Sequence, residues 1–198
     1  MAPESTAPGA TAPGHAAATP AGQVSAPLLE VRNLRTEFAT SRGIVHAVND
    51  VSFDVGRGDL VGIVGETGCG KSVTIRSLIG LVRPPGRVVG GQVLFEGTDL
   101  RTLSQRRMRE IRGARIGFVP QNPFGSLNPV MRISRQFRNV IRAHQDATRA
   151  ECYERTLQML KAVGIADPER VANGYPHELS GGMAQRTVIA MALIADPP

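Results

Sequence analysis

Between residues 65 and 72 the chain reads Gly65-Glu66-Thr67-Gly68-Cys69-Gly70-Lys71-Ser72. This order fits G-x-x-x-x-G-K-[ST], the loop that follows a strand, cradles phosphate and opens a helix. Both flanks agree with it. Leu60-Val61-Gly62-Ile63-Val64 is a short apolar run that predicts a buried strand. Val73-Thr74-Ile75-Arg76-Ser77-Leu78-Ile79-Gly80 has helical apolar spacing and a glycine stop. Few sequence features restrict a fold this tightly.

The chemistry asks for each residue type in turn. Gly65, Gly68 and Gly70 let the backbone turn and come close to an anion. Successive N–H groups then line a concavity for phosphate oxygens. The helix that follows points its positive end at the same place. Lys71 would reach the β- and γ-phosphates and the Ser72 hydroxyl would hold Mg²⁺. The candidate nucleotide-binding residues are therefore Gly65, Glu66, Thr67, Gly68, Cys69, Gly70, Lys71, Ser72 and Val73. The competing interpretation is a chance Gly-rich turn, and the flanking strand and helix weigh against it.

Two later stretches carry further chemistry. Leu179-Ser180-Gly181-Gly182-Met183-Ala184-Gln185-Arg186 precedes the apolar helical run Val188 to Ala195. It presents a second helix N-terminus with bare N–H groups; read from its residues alone, it is better taken as an ordinary start with Ser180 as N-cap. Gln121, in Val119-Pro120-Gln121-Asn122-Pro123, follows the apolar run Ile116 to Val119 and reads as a polar residue ending a strand.

A phosphate loop, then a glutamine at a strand end, then LSGG-x-x-Q-R resembles the ATP-binding subunit of an ABC transporter. The resemblance covers about Leu28 to Pro198. Ile111-Arg112-Gly113, Ser126-Leu127-Asn128-Pro129-Val130 and Tyr175-Pro176-His177-Glu178-Leu179 are similar to the oligopeptide, dipeptide and nickel importer branch. The resemblance implies an α/β fold: a P-loop NTPase (ABC ATPase) core with an antiparallel β subdomain and a helical subdomain at about 123–182. It implies ATP and Mg²⁺ as ligands, with Mg²⁺ on Ser72 and Gln121, and Gln121 also on the attacking water. Ser180, Gly181 and Gly182 are expected to contact the γ-phosphate of ATP held by a second ABC ATP-binding subunit, identical or related. Transmembrane permease subunits, and indirectly an extracytoplasmic solute-binding protein, complete the expected partners. The expected role is import of a solute, short peptides above all, from the cytoplasmic face of the inner membrane.

In the family an apolar strand ending in Asp-Glu, and later a switch histidine, follow the point where this sequence stops, at Asp196-Pro197-Pro198. The domain at 28–198 is thus expected to be C-terminally incomplete, to bind ATP without completing hydrolysis, and to be poorly soluble by itself. The alternative function is that of a non-hydrolysing nucleotide-binding fragment. A DNA-acting ATPase with the same cassette is disfavoured, because no sustained heptads or Cys pairs separate the phosphate loop from LSGG.

The remainder is less specific. Residues 1–27, rich in Ala, Pro, Gly and Thr and free of Lys and Arg, read as a disordered tail. Strands are expected at Leu28 to Leu34, at Ile44 to Val55 as one or two, and at Gln92 to Glu96, with a short helix from about Ser104 to Arg112. Ile133, Phe137, Val140 and Ile141 share one helix face, and Thr148 with Glu151 forms a capping box for another helix that ends at Gly164. The net charge of +6 comes from arginine, with Arg101, Arg106, Arg107, Arg109, Arg112 and Arg115 set against Glu110. No aromatic platform interleaves them, so no specific nucleic acid is expected as a partner. The apolar run Val188 to Ala195 is far short of the roughly 20 residues of a membrane span. Cys69 stands where the family often has Ser; a thiol alkylator is expected to block nucleotide binding, and bound Mg-ATP to protect. Equal labelling with and without nucleotide, read by mass spectrometry, would refute this.

Overall fold

The computed structural model describes residues 26–197, so the expected tail lies almost wholly outside the described residues. Four strands form one antiparallel sheet: β1 (Leu29–Thr40), β2 (Gly43–Val55), β3 (Gly86–Phe95) and β4 (Thr98–Asp99), in the order β2-β1-β3-β4. Among the described residues six α-helices accompany it: α1 (Lys71–Leu78), α2 (Gln105–Ile111), α3 (Ile133–His144), α4 (Arg149–Ala162), α5 (Pro168–Asn173) and α6 (Gly181–Leu193).

The sheet owes its packing to a break in its own alternation. Val31 and Leu34 are both fully buried although three residues apart. The register shifts between them, and Asn33 takes a positive φ of 48° there. One extra residue in β1 returns Leu34 to the core face that strict alternation would deny it. The Asn33 N–H donates to Ser52 Oγ at 2.8 Å and its side-chain amide donates to Asp50 at 2.9 Å, which ties the bulge to β2. Val31, Leu34, Val48, Val93 and Phe95 of the sheet enclose Leu78 and Ile79 from α1 and Met108 from α2 in one core.

A second core is helical. Ile133, Phe137 and Ile141, spaced by four along α3, are almost completely buried. They meet Cys152 and Leu160 of α4, Val171 of α5 and Val188 of α6. The capping box is present: Thr148 Oγ1 accepts from Glu151 N–H at 3.2 Å, and Glu151 accepts from Thr148 N–H at 2.7 Å. These bonds from the Thr148 backbone and hydroxyl hold the Glu151 carboxyl below its usual range. At the other end Gly164, φ 78°, donates to the Lys161 carbonyl while Ile165 N–H donates to the Leu160 carbonyl, closing α4 with a left-handed glycine as its sequence suggests.

Two expected strands are absent among the described residues. Leu60-Val61-Gly62-Ile63-Val64 is neither a strand nor buried; Leu60 is 101% and Val64 92% exposed. Ile116 to Val119, the other apolar run, forms no strand either, apart from a single bridge between Arg112 and Ile116. A strand exists only with a neighbour to take its N–H and C=O groups. Among the described residues, neither run finds one. The remaining expected strands and the helix near 104–112 are present, with β1 and β3 longer than their apolar patterns indicate and Ile44 to Val55 falling within one strand.

Candidate functional site

The phosphate loop runs directly into α1. Gly65, Gly68 and Gly70 all have positive φ, at 155°, 88° and 97°. The requirement is strictest at Gly70, where a Cβ would stand 2.2 Å from the Ala47 carbonyl oxygen of β2. The end of the loop thus rests on the sheet at a distance only glycine allows. Gly70 is also the N-cap of α1, and its carbonyl accepts from Thr74 N–H at 2.8 Å.

No side chain caps α1. The same holds for α3, whereas α2, α4, α5 and α6 each begin on a capping side chain, from Ser104, Thr148, Asp167 and Ser180. The first N–H groups of α1, those of Lys71, Ser72 and Val73, therefore face outward behind the glycine loop, where the helix dipole is positive. Lys71 Nζ donates to the Gly65 carbonyl at 2.7 Å and the Glu66 carbonyl at 2.6 Å, and stands 3.6 Å from Cys69 Sγ. The ammonium group is thereby held over the loop. Thr67, Gly68, Cys69 and Ser72 are exposed around it.

A buried hydroxyl pair seats the helix. Thr36 Oγ1 and Ser77 Oγ are 2.8 Å apart, and the Ser77 hydroxyl also donates to the Val73 carbonyl at 2.7 Å. At the C-terminus of α1, Gly80 and Leu81 N–H close on the Ser77 and Arg76 carbonyls.

Gln121 comes to the same helix from another direction. It lines a cleft of about 630 Å³ together with Val73 and Arg76 of α1, Phe38 of β1 and Asn122. Phe38 packs where a Cβ on Gly86 would fall. The segment after Gln121 is fixed by Gln136, 7% exposed. The Gln136 side-chain amide donates to the Asn128 and Met131 carbonyls at 3.0 and 2.8 Å, and its oxygen accepts from Asn128 N–H at 2.9 Å.

Ser180, Gly181 and Gly182 are not part of this cleft. They start α6 on the helical core, with the Ser180 hydroxyl accepting from Met183 N–H at 3.3 Å. Around Gly181 and Gly182 a Cβ would meet nothing within 4 Å. The motif is an exposed, glycine-smooth helix start beside open space. Its lead-in is ordered by Glu178, which accepts from Tyr175 N–H at 2.6 Å, and by Tyr175 stacked on His177 at 5.7 Å. Sequence patterning selects Val73 with the loop and Arg112 within a family-like stretch, but it does not select Arg76, and it does not place Val73 and Arg76 beside Gln121 or Arg112 at the end of α1. Contacts across so long a separation leave no local signal.

Among the described residues, no group of three His, Cys, Asp or Glu side chains could hold a metal ion. Ser72 and Gln121 offer exposed neutral oxygens, the donor type that suits Mg²⁺ when phosphate oxygens and water complete its shell. No helix among the described residues is long and apolar enough to cross a membrane.

Comparison with known proteins places this arrangement. The family profile described as ABC transporter matches residues 48–198. A probable peptide ABC transporter ATP-binding protein of Sinorhizobium fredii is 48% identical over 171 residues, 86% of this chain and 51% of that protein. The oligopeptide transport ATP-binding protein OppD of Bacillus subtilis is 44% identical, over 86% of this chain and 48% of its own length. The chain thus spans about half the length of the curated relatives it matches. In three dimensions it is similar to the dimeric ATP-binding cassette MJ0796 bound to ADP and Pi, with a TM-score of 0.76, 28% identity, and coverage of 86% of this chain and 71% of the cassette.

Proposed function

The chain belongs to the ABC transporter family, with the α/β P-loop fold of its ATPase cassettes, and on that premise we propose that it binds Mg-ATP and, within a longer subunit, couples ATP binding and hydrolysis to peptide import. The observation that carries this reading is the uncapped start of α1 behind Gly65–Gly70, with the Lys71 ammonium held over the loop. A helix N-terminus with free N–H groups, a glycine nest and a movable cation together recognise a polyphosphate. The peptide class of cargo rests on the relatives, two of which are described as peptide and oligopeptide transport proteins.

In this reading the loop residues Gly65 to Val73 hold the phosphates and Lys71 moves from the Gly65 and Glu66 carbonyls to the β- and γ-phosphate oxygens. Ser72 and Gln121 would hold Mg²⁺, which when bound would supply neutralisation of phosphate charge. Gln121 additionally orients water. Ser180, Gly181 and Gly182 offer their helix start to the ATP of a second ABC subunit, so that two nucleotides are buried between two chains. Closure by ATP and release after hydrolysis would then move the attached membrane subunits. Each subunit would sit on the cytoplasmic face of the membrane, and specificity for the solute would lie with the permease and solute-binding protein.

The test is equilibrium binding of a fluorescent ATP analogue to the full-length subunit, with competition by Mg-ATP. Saturable, competed binding is expected, and its absence would remove the reading. The role of the second motif has its own test. Gly182→Asp is expected to leave Mg-ATP affinity of the single subunit unchanged and to abolish ATP-dependent dimerisation seen by analytical ultracentrifugation. A carboxylate there would repel the facing γ-phosphate and fill space that is open in this structure. Dimerisation that survives Gly182→Asp would refute the trans contact.

A further inference from the structure

The far end of α1 from the phosphate loop meets a cation from another element. Arg112 is the C-cap residue of α2, yet its guanidinium reaches back to α1. Its Nε donates to the Ile79 carbonyl at 2.7 Å and an Nη donates to the Gly80 carbonyl at 2.9 Å. These carbonyls lie at the negative end of the phosphate helix, beyond the two that Gly80 and Leu81 N–H already close. The fit is tight, since a Cβ on Gly80 would stand 2.8 Å from Arg112 Nη2. Arg112 is half-buried, and that desolvation lowers its pKa from the ordinary guanidinium range.

The other side of Arg112 is a stiff turn. Gly113 N–H donates to the Ile116 carbonyl at 3.0 Å, while Ile116 and Arg115 N–H both donate to the Ile111 carbonyl, at 3.0 and 2.8 Å. Gly113 has φ 91°, and a Cβ there would fall 2.6 Å from His144 Nε2 at the end of α3. From this turn the chain runs through Gly117 and Phe118 to Gln121 without regular secondary structure. The arm that carries Gln121 is therefore anchored at the Arg112 turn.

A cap for helix stability alone could come from any nearby cation. This one arrives from another element, as a two-pronged fork, and belongs to the segment that delivers Gln121. We propose that Arg112 is a positioning residue of the nucleotide site: by gripping the far end of the phosphate helix it sets where Gln121 stands relative to the phosphate loop. The inference rests on the nucleotide-site reading above and adds to it a coupling between two parts of the site. It acts through Gln121, so its effect must appear in the metal-dependent part of ATP affinity. Binding carried by the loop itself should remain.

The experiment measures ATP affinity of the full-length subunit with Mg²⁺ and with EDTA, for the parent chain, Arg112→Ala, Arg112→Lys, Gln121→Ala and Arg112→Ala/Gln121→Ala, with thermal melts alongside. Arg112→Ala is expected to lose about tenfold in Mg-ATP affinity, the loss of one charge-assisted contact, with EDTA affinity kept. Gln121→Ala is expected to give the same pattern, and the double variant no further loss, since the two residues act in series. Arg112→Lys keeps the charge but not the fork and is expected to fall between; it also serves if Arg112→Ala does not fold. Equal losses in Mg²⁺ and EDTA would mean a structural cap only and overturn the proposal. So would an Arg112 variant indistinguishable from the parent, a double variant with the product of both losses, or a parent that binds ATP equally with and without Mg²⁺. A parent chain that binds no ATP would overturn the functional reading itself, and the two failures are told apart by that control.

Discussion

Lys71→Ala is expected to weaken Mg-ATP binding by about 10²–10⁴-fold, while the fold and its thermal stability stay close to those of the parent. Lys71 is half-buried at the first position of α1 and donates only within the loop, to the Gly65 and Glu66 carbonyls and to Cys69 Sγ. Its removal therefore leaves no buried charge behind. What it takes away is a pair of charge-assisted hydrogen bonds to phosphate oxygens, each worth about 1.5–3 kcal/mol, and about 1.4 kcal/mol is tenfold in affinity. Isothermal titration calorimetry reads the change directly. An affinity matching the parent would mean that the glycine nest and helix dipole carry the phosphates alone. Lys71→Arg offers a sharper comparison, because the larger planar group cannot follow the ammonium into the same pocket of carbonyls.

Phe137→Ala is expected to destabilise the helical core by about 3–5 kcal/mol, the usual cost of an aromatic cavity. Phe137 is 0% exposed and lies between Ile133 and Ile141 on the face that α3 turns to the rest of the helical core. Among the described residues it is the bulkiest of the fully buried side chains. Denaturant unfolding followed by circular dichroism measures the loss. A cost below about 1 kcal/mol would mean that neighbouring side chains collapse into the space, which the β-branched Ile133 and Ile141 are poorly shaped to do. Since α6 packs in the same core through Ala184, Val188 and Ala190, the damage is expected to reach the Ser180–Gly182 helix start. ATP-dependent dimerisation should then fail at temperatures where the parent still dimerises.

Elements that declare themselves through local chemistry could be read from the sequence. The Thr148–Glu151 box, the glycines at 80 and 164 and the four-residue spacing on α3 each encode an end or a face by themselves. The phosphate loop is of the same kind, because its glycines and the following helix need no distant partner to be recognised. Leu60 to Val64 failed for the opposite reason: an apolar run states only that it wants burial, and a strand forms when another strand lies beside it. The bulge at Asn33 was hidden because alternation was judged within β1, while its cause is the pairing with β2. Arg112 lies in a stretch that resembles a family motif, but its two carbonyl partners stand at Ile79 and Gly80, more than thirty residues earlier in the chain, where no local pattern reaches.

The order of the strands also governs how the nucleotide loop comes into being. β1 and β2 are joined by Ser41 and Arg42 alone and pair from Thr40–Gly43 back to Leu29–Val55, a zipper that can close locally. β3 must return to the other edge of β1 across the whole of 56–85, and α1 lies inside that excursion. Loop-closure entropy makes the second pairing the slower one. The phosphate helix, only eight residues long, is too short to persist by itself in water. Its register is therefore settled late, when the β1–β3 ribbon closes and Thr36 meets Ser77. On the proposed function, a nascent chain would acquire affinity for nucleotide in one step with the completion of the sheet.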